Sequence, residues 1–171
     1  MRAYERLLKY VSIYTTSDPD SATVPSSMRQ YDLANILVDE LKALGLENVH
    51  VDENGVVYGW LSATAGCEQK PALGFIAHMD TAPDCSGENV KPQIIERYDG
   101  GDVVLPGSGE TLSPAAFPGL QKLAGMTLIT TDGTTLLGAD DKAGIAEIMT
   151  ALENILAANA PHGKLCIAFT P

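Results

Sequence analysis

His78 and Asp80 stand two positions apart near the end of an apolar run, Ala72 to Asp80, that contains LGFIAHMD. Side chains alternate along a strand, so the two should project from one face at its carboxyl end, the edge where open α/β sheets bind ligands. A neutral imidazole there has the chemistry of a metal ligand. A carboxylate beside it can accept the other ring N–H, fixing the tautomer and raising the ring's basicity. Taken alone, the pair reads better as a buried histidine satisfied by hydrogen bonds, with an aspartate opening a turn. A second group shifts that balance. Asp140 and Asp141 fall between a predicted strand and a predicted helix, at a loop tip where carboxylates reach a cation without burying an unpaired charge. One carboxylate can bridge two cations. Asp141 has another reading, as the N-cap of a helix starting near Lys142, where its side chain would accept a backbone N–H. Gly138 and Gly144 fit a turn and a close helix packing. His162, before Gly163, reads as an exposed turn residue.

These residues need elements to hold them. Tyr4, Leu7, Leu8 and Val11 have the spacing of one helical stripe. Thr15 to Ser27 is a Ser, Thr, Asp and Pro-rich loop that ends in a candidate N-cap, Ser26 or Ser27. Met28, Tyr31, Ala34, Leu37, Val38, Leu41 and Leu44 make a second stripe, with Gly45 placed to end the helix. Val49, Val51 and Val56 to Leu61 flank Asn54-Gly55, which predicts a hairpin with a two-residue turn. The LGFIAHMD run predicts a central strand covered on both faces. From Pro83 to Gly125 the composition turns to Gly, Pro, Ser and charge, a surface excursion with weak strands at Gln93 to Tyr98 and Asp102 to Leu105. Met126 to Thr131, Asp132-Gly133 and Thr134 to Leu137 predict a second hairpin. Ile145, Ile148, Met149, Leu152, Ile155 and Leu156 mark a third helix, and Lys164 to Thr170 a last strand. Helices alternating with apolar strands predict an α/β layered domain with a mixed, partly parallel sheet.

At 171 residues, 45% of them hydrophobic, the sequence predicts one domain or part of one. Its 11 basic and 22 acidic residues, net −11, argue against nucleic acid or an anionic membrane as partner. Cys67, Cys85 and Cys166 are odd in number and form no CxxC pair, so they read as reduced thiols. No apolar stretch suggests a signal peptide or membrane span, and cytoplasm is the expected location.

AHMDTAP at Ala77 to Pro83, together with LLGADDKAG at Leu136 to Gly144, resembles the paired signature of the co-catalytic dinuclear zinc exopeptidases, tripeptide aminopeptidases among them. The similarity extends over the whole chain, including the opening helix and the excursion after Asp80. It implies a layered α/β/α catalytic domain of which residues 1–171 are the amino-terminal part, with the rest of that domain and a lid or dimerisation domain absent. By the resemblance, His78 is a terminal ligand of one zinc and Asp140 bridges both zincs. Asp80 supports His78 and counts among the catalytic residues. The peptide from Asp140 to Asp141 is expected to be cis. The implied reaction is release of the amino-terminal residue from tripeptides, in a protein that could form a homo-oligomer. In such enzymes the strand matching Lys164 to Thr170 leads into an acidic stretch carrying a glutamate general base and a further ligand. Neither is among these residues, and His50 and His162 do not match the remaining ligands. With two ligands the chain alone is expected to bind zinc weakly and to hydrolyse negligibly. A carboxypeptidase or deacylase of the same zinc family, and a non-enzymatic truncated fragment, stay open as alternatives. All of this requires His78 and Asp140 to converge at one rim of a shared sheet.

Overall fold

The helical stripes and apolar runs become three helices and eight strands in the computed structural model, which describes all 171 residues. In chain order they are α1 (Ala3–Val11), α2 (Gln30–Ala43), β1 (Glu47–Val51), β2 (Val57–Leu61), β3 (Leu73–His78), β4 (Pro92–Ile95), β5 (Val103–Val104), β6 (Thr111–Leu112), a 3-10 segment (Pro118–Leu123), β7 (Leu128–Thr131), α3 (Ala139–Ala157) and β8 (Leu165–Thr170). They fall into two compact units, residues 1–83 with 138–171, and residues 84–137. No helix is long and apolar enough to cross a membrane.

The first unit holds a four-stranded sheet in the order β1-β2-β8-β3. β2 runs antiparallel to β1 and β8, whereas β3 and β8 are parallel, so the sheet is mixed as expected. Val57, Ala77, Leu165, Ile167 and Phe169 turn to one face and share a core with residues of all three helices, such as Tyr10, Leu37 and Met149. These residues supply the sheet and one helical layer. Tyr58, Trp60, Ile76, Cys166 and Ala168 line a shallow hollow on the other face.

Two expectations about the strands need correction. Within these 171 residues β3 is an edge strand instead of a central one covered on both faces, and Ile76 is 71% exposed. An unbroken apolar run reports what a strand can bury, not which neighbours these residues supply. The first hairpin closes with three residues, Glu53 to Gly55, instead of two. The Asp52 and Val56 backbones pair at 3.0 Å, Asp52 Oδ1 accepts the N–H groups of Asn54 and Val56, and Gly55 takes the left-handed conformation (φ +81). Asp52 therefore builds the turn, and of Asn54-Gly55 only the glycine has positive φ.

α1 buries Arg6, Tyr10 and Val11, while Tyr4 is exposed, so its inward face is rotated from the purely apolar stripe. The cause is a paired charge. Arg6 donates to Glu40 of α2 at 2.8 Å and to Glu153 of α3 at 2.9 Å, and the Tyr10 hydroxyl donates to Glu40 at 2.6 Å. Removing Glu40 leaves buried donors unpaired, so Glu40→Ala is expected to cost about 2 to 3 kcal/mol in urea unfolding, and Tyr10→Phe about 1. α2 ends as its sequence predicts, with Gly45 left-handed (φ +82) after Leu44. Its start differs. Arg29 occupies the cap without a side-chain bond, and Ser27 contributes only its carbonyl, to Gln30 N–H at 3.1 Å. Ser26 Oγ instead accepts the Asp18 N–H, stitching the preceding loop.

In the second unit β4 pairs with β7 and β5 with β6, around Tyr98, Val103 and Leu105. The weak strands of the excursion are thus present in shortened form. The predicted second hairpin is not. β7 pairs with the distant β4, and residues 134–137 form no strand. Asp132 Oδ1 accepts the Thr134 N–H at 2.9 Å and its hydroxyl at 2.6 Å, turning the chain out of the sheet.

Candidate functional site

The parallel register of β3 on β8 sets His78 beside Thr170 at the carboxyl end of the sheet. Asp140, 62 positions later, stands in the turn before the regular part of α3. His78 Nδ1 lies 2.9 Å from Asp80 Oδ1, and Nε2 lies 3.0 Å from Asp140 Oδ1. The three residues named from sequence therefore converge. Asp140 is almost fully exposed (95% for its side chain), whereas Asp80 is largely covered (25%).

The chain leaves Gly138 in left-handed conformation (φ +77), and Asp140 and Asp141 keep non-helical backbone joined by a cis peptide, as the resemblance implied. Asp141 Oδ1 accepts the Gly144 N–H at 3.1 Å, which makes Asp141 the cap of the helix starting at Lys142. A Cβ at Gly144 would sit 2.4 Å from that oxygen, so the cap requires glycine there. One carboxylate of the pair serves the helix, and the other points to solvent beside His78.

The ring nitrogens explain the electrostatics. With the Nδ1 proton held by Asp80, Nε2 of a neutral ring is a lone pair, yet it faces a carboxylate oxygen at 3.0 Å. Two acceptors at that distance need positive charge between them, either a second ring proton or a cation. Burial lowers the proton affinity of His78, but its hydrogen bonds to Asp140 and Asp80 and their charges outweigh it, and the pKa is raised. Its stabilising pairs are complete below the ordinary histidine pKa, about 6.5, and are lost as pH rises through the higher folded-state value. The urea midpoint should accordingly fall over that interval, and His78→Asn should flatten this part of the pH profile.

Sequence reasoning missed the shell around these groups. Ser17 Oγ donates to Asp80 Oδ2. Thr15 Oγ1 donates to Met79 O at 2.7 Å, and Thr16 pairs with Thr81. Lys142 is buried and donates to Ile13 O at 2.7 Å. Burial pushes its ammonium down to about 8, against the raising effect of the Asp80 charge. Composition marks residues 15–27 as a loop, and nothing in it signals that residues 15–17 pair with 79–81.

His78 Nε2 and Asp140 Oδ1 are the two atoms that could share a cation. An imidazole and a carboxylate suit zinc, and donors bound to one tetrahedral ion at about 2.0 to 2.2 Å stand roughly 3.3 Å apart, close to the observed spacing. His50 and His162 lie elsewhere, their rings bonded to the carbonyls of Asn48 and Gly163. Nowhere are three or more His, Cys, Asp or Glu side chains gathered for one ion.

No protein-family model matches the chain. Among curated proteins, it is 58% identical over 169 residues to peptidase T of Aliivibrio fischeri and 57% identical over 169 residues to peptidase T of Geobacillus thermodenitrificans. Each match covers 98% of this chain and 41% of the relative, so the chain spans about two fifths of the length of these proteins. Among solved structures, a tripeptidase from Staphylococcus aureus superposes with a TM-score of 0.64 at 26% identity, over 98% of this chain and 35% of that one. The aminopeptidase PepT from Bacillus cereus gives the same TM-score and coverage at 22% identity, a likeness of fold. Along nearly all of its own length, then, the chain is a homologue of the proteins named peptidase T.

Proposed function

We propose that residues 1–171 are part of the catalytic domain of a zinc-dependent aminopeptidase that releases the amino-terminal residue from tripeptides in the cytoplasm. The observation that carries this reading is the approach of His78 Nε2 to Asp140 Oδ1 across 3.0 Å, in a chain 58% identical to a peptidase T. His78 and Asp140 would hold metal, and Asp80 would act with the catalytic residues by keeping the ring proton on Nδ1. That proton leaves the Nε2 lone pair free to bind. Asp140, exposed at the turn, presents its carboxylate without a desolvation penalty. When bound, a pair of zinc ions supplies Lewis-acid polarisation and a lowered pKa of water. The general base and the remaining donors would come from residues outside these 171.

The test is hydrolysis by the full-length protein of free tripeptides, set against N-acylated amino acids and peptides that report carboxy-terminal cleavage. Tripeptide cleavage from the amino end, lost on chelation and restored by zinc, is expected, and a preference for either other class would replace this reading with a deacylase or carboxypeptidase. The 171 residues alone offer two donors and should bind zinc no tighter than about micromolar. Calorimetry showing submicromolar affinity that His78→Ala removes would contradict that expectation.

A further inference from the structure

Asp80 can hold the imidazole only if its own carboxylate is held. The terminal torsion of an aspartate is broad and nearly two-fold, so a covered carboxylate with one partner can turn away from it. Here the two oxygens are divided, Oδ1 to His78 Nδ1 and Oδ2 to the hydroxyl of Ser17. The segment carrying Ser17 is fixed to the strand end from several directions. Ser17 N–H donates to Thr81 O at 3.0 Å, Thr81 N–H to Thr15 O at 3.4 Å, and Thr15 Oγ1 to Met79 O at 2.7 Å. The Thr16 and Thr81 hydroxyls meet at 2.9 Å, and Lys142 ties down Ile13 O just before the segment. Thr15, Thr16 and Thr81 are all buried. This bracing delivers one hydroxyl to the second oxygen of Asp80.

We infer that Ser17 is a positioning residue: its hydroxyl fixes the Asp80 carboxylate so that His78 keeps its proton on Nδ1 and presents Nε2 toward Asp140. In the neutral, metal-free ring Asp140 Oδ1, 3.0 Å from Nε2, competes for the same proton; without the Ser17 hydroxyl the Nδ1 side keeps a looser Asp80 carboxylate and the Asp80 backbone carbonyl, 3.2 Å away, so the balance shifts toward Nε2–H without going to completion. The functional value of the arrangement rests on the metallopeptidase reading, but the arrangement itself is measurable without metal.

The experiment is nitrogen NMR of the His78 ring in the metal-free chain, at a pH where the imidazole is neutral. The ratio of the Nδ1–H to the Nε2–H tautomer is compared in the unsubstituted chain, Ser17→Ala, Ser17→Thr and Asp80→Ala. Ser17→Ala removes one hydroxyl and leaves every backbone bond of the segment in place, so folding should survive. The ratio is expected to fall about fivefold in Ser17→Ala, the equilibrium equivalent of one modest hydrogen bond. It should recover in Ser17→Thr and fall at least as far in Asp80→Ala. A ratio unchanged in Ser17→Ala, or unchanged in Asp80→Ala, overturns the inference. A zinc titration of the full-length protein carrying the same substitutions separates the two readings. A tautomer ratio that responds to Ser17→Ala, together with a full-length protein that binds no zinc at His78, supports the positioning role and removes the metallopeptidase reading instead.

Discussion

His78→Ala in the full-length protein is expected to lower kcat/KM for a tripeptide by more than a hundredfold, beyond the about 10 to 100-fold that follows loss of a residue hydrogen-bonded to a ligand. The reason lies in the two ring nitrogens. Nδ1 is committed to Asp80 and Nε2 is the only donor that β3 contributes toward Asp140. Asp80→Ala should fall inside the 10 to 100-fold range, because the ring remains but its tautomer is less well held. Steady-state kinetics at saturating zinc distinguish the two. Equal losses in both variants would mean that Asp80 touches the reacting atoms instead of acting through the ring.

The second large effect concerns the sheet that carries the site. Phe169 is fully buried on β8, in register with Val57 on one side and Ala77 on the other, one residue short of the Thr170–His78 pair. Phe169→Ala should cost about 3 to 5 kcal/mol in urea unfolding, a large share of the 5 to 15 kcal/mol typical of a domain. Ile76, 71% exposed on the opposite face, should tolerate threonine within about 0.5 kcal/mol. Equal sensitivity at both positions would contradict the assignment of a covered and an open face.

Where helical or strand periodicity ran over many residues, the sequence was a good guide. Ala34, Leu37 and Leu41 of α2 and Ile145, Met149 and Leu152 of α3 are all buried. Local turn chemistry was legible too, as at Gly45 and in the cap that Asp141 forms on Gly144. Partnership between distant segments was not. Leu73 to His78 carries no mark of an edge position, β7 pairs with β4 in place of its sequence neighbour, and Arg6 is buried by two glutamates on other helices. The same limit applies within the site. His78, Asp80 and Asp140 could be named because their types and spacing suggest chemistry, and the resemblance drew them together. Ser17 and Lys142 could not, since a serine in a polar loop and a lysine in the first turn of a helix look like surface until the fold closes over them.

A metal centre at this site requires His78 and Asp140 to share a cation. Anomalous diffraction at the zinc edge from crystals of the full-length protein equilibrated with zinc tests this directly. A zinc peak is expected within about 2.0 to 2.2 Å of both His78 Nε2 and Asp140 Oδ1. Zinc bound elsewhere, with the imidazole and the carboxylate still hydrogen-bonded to one another, would contradict it.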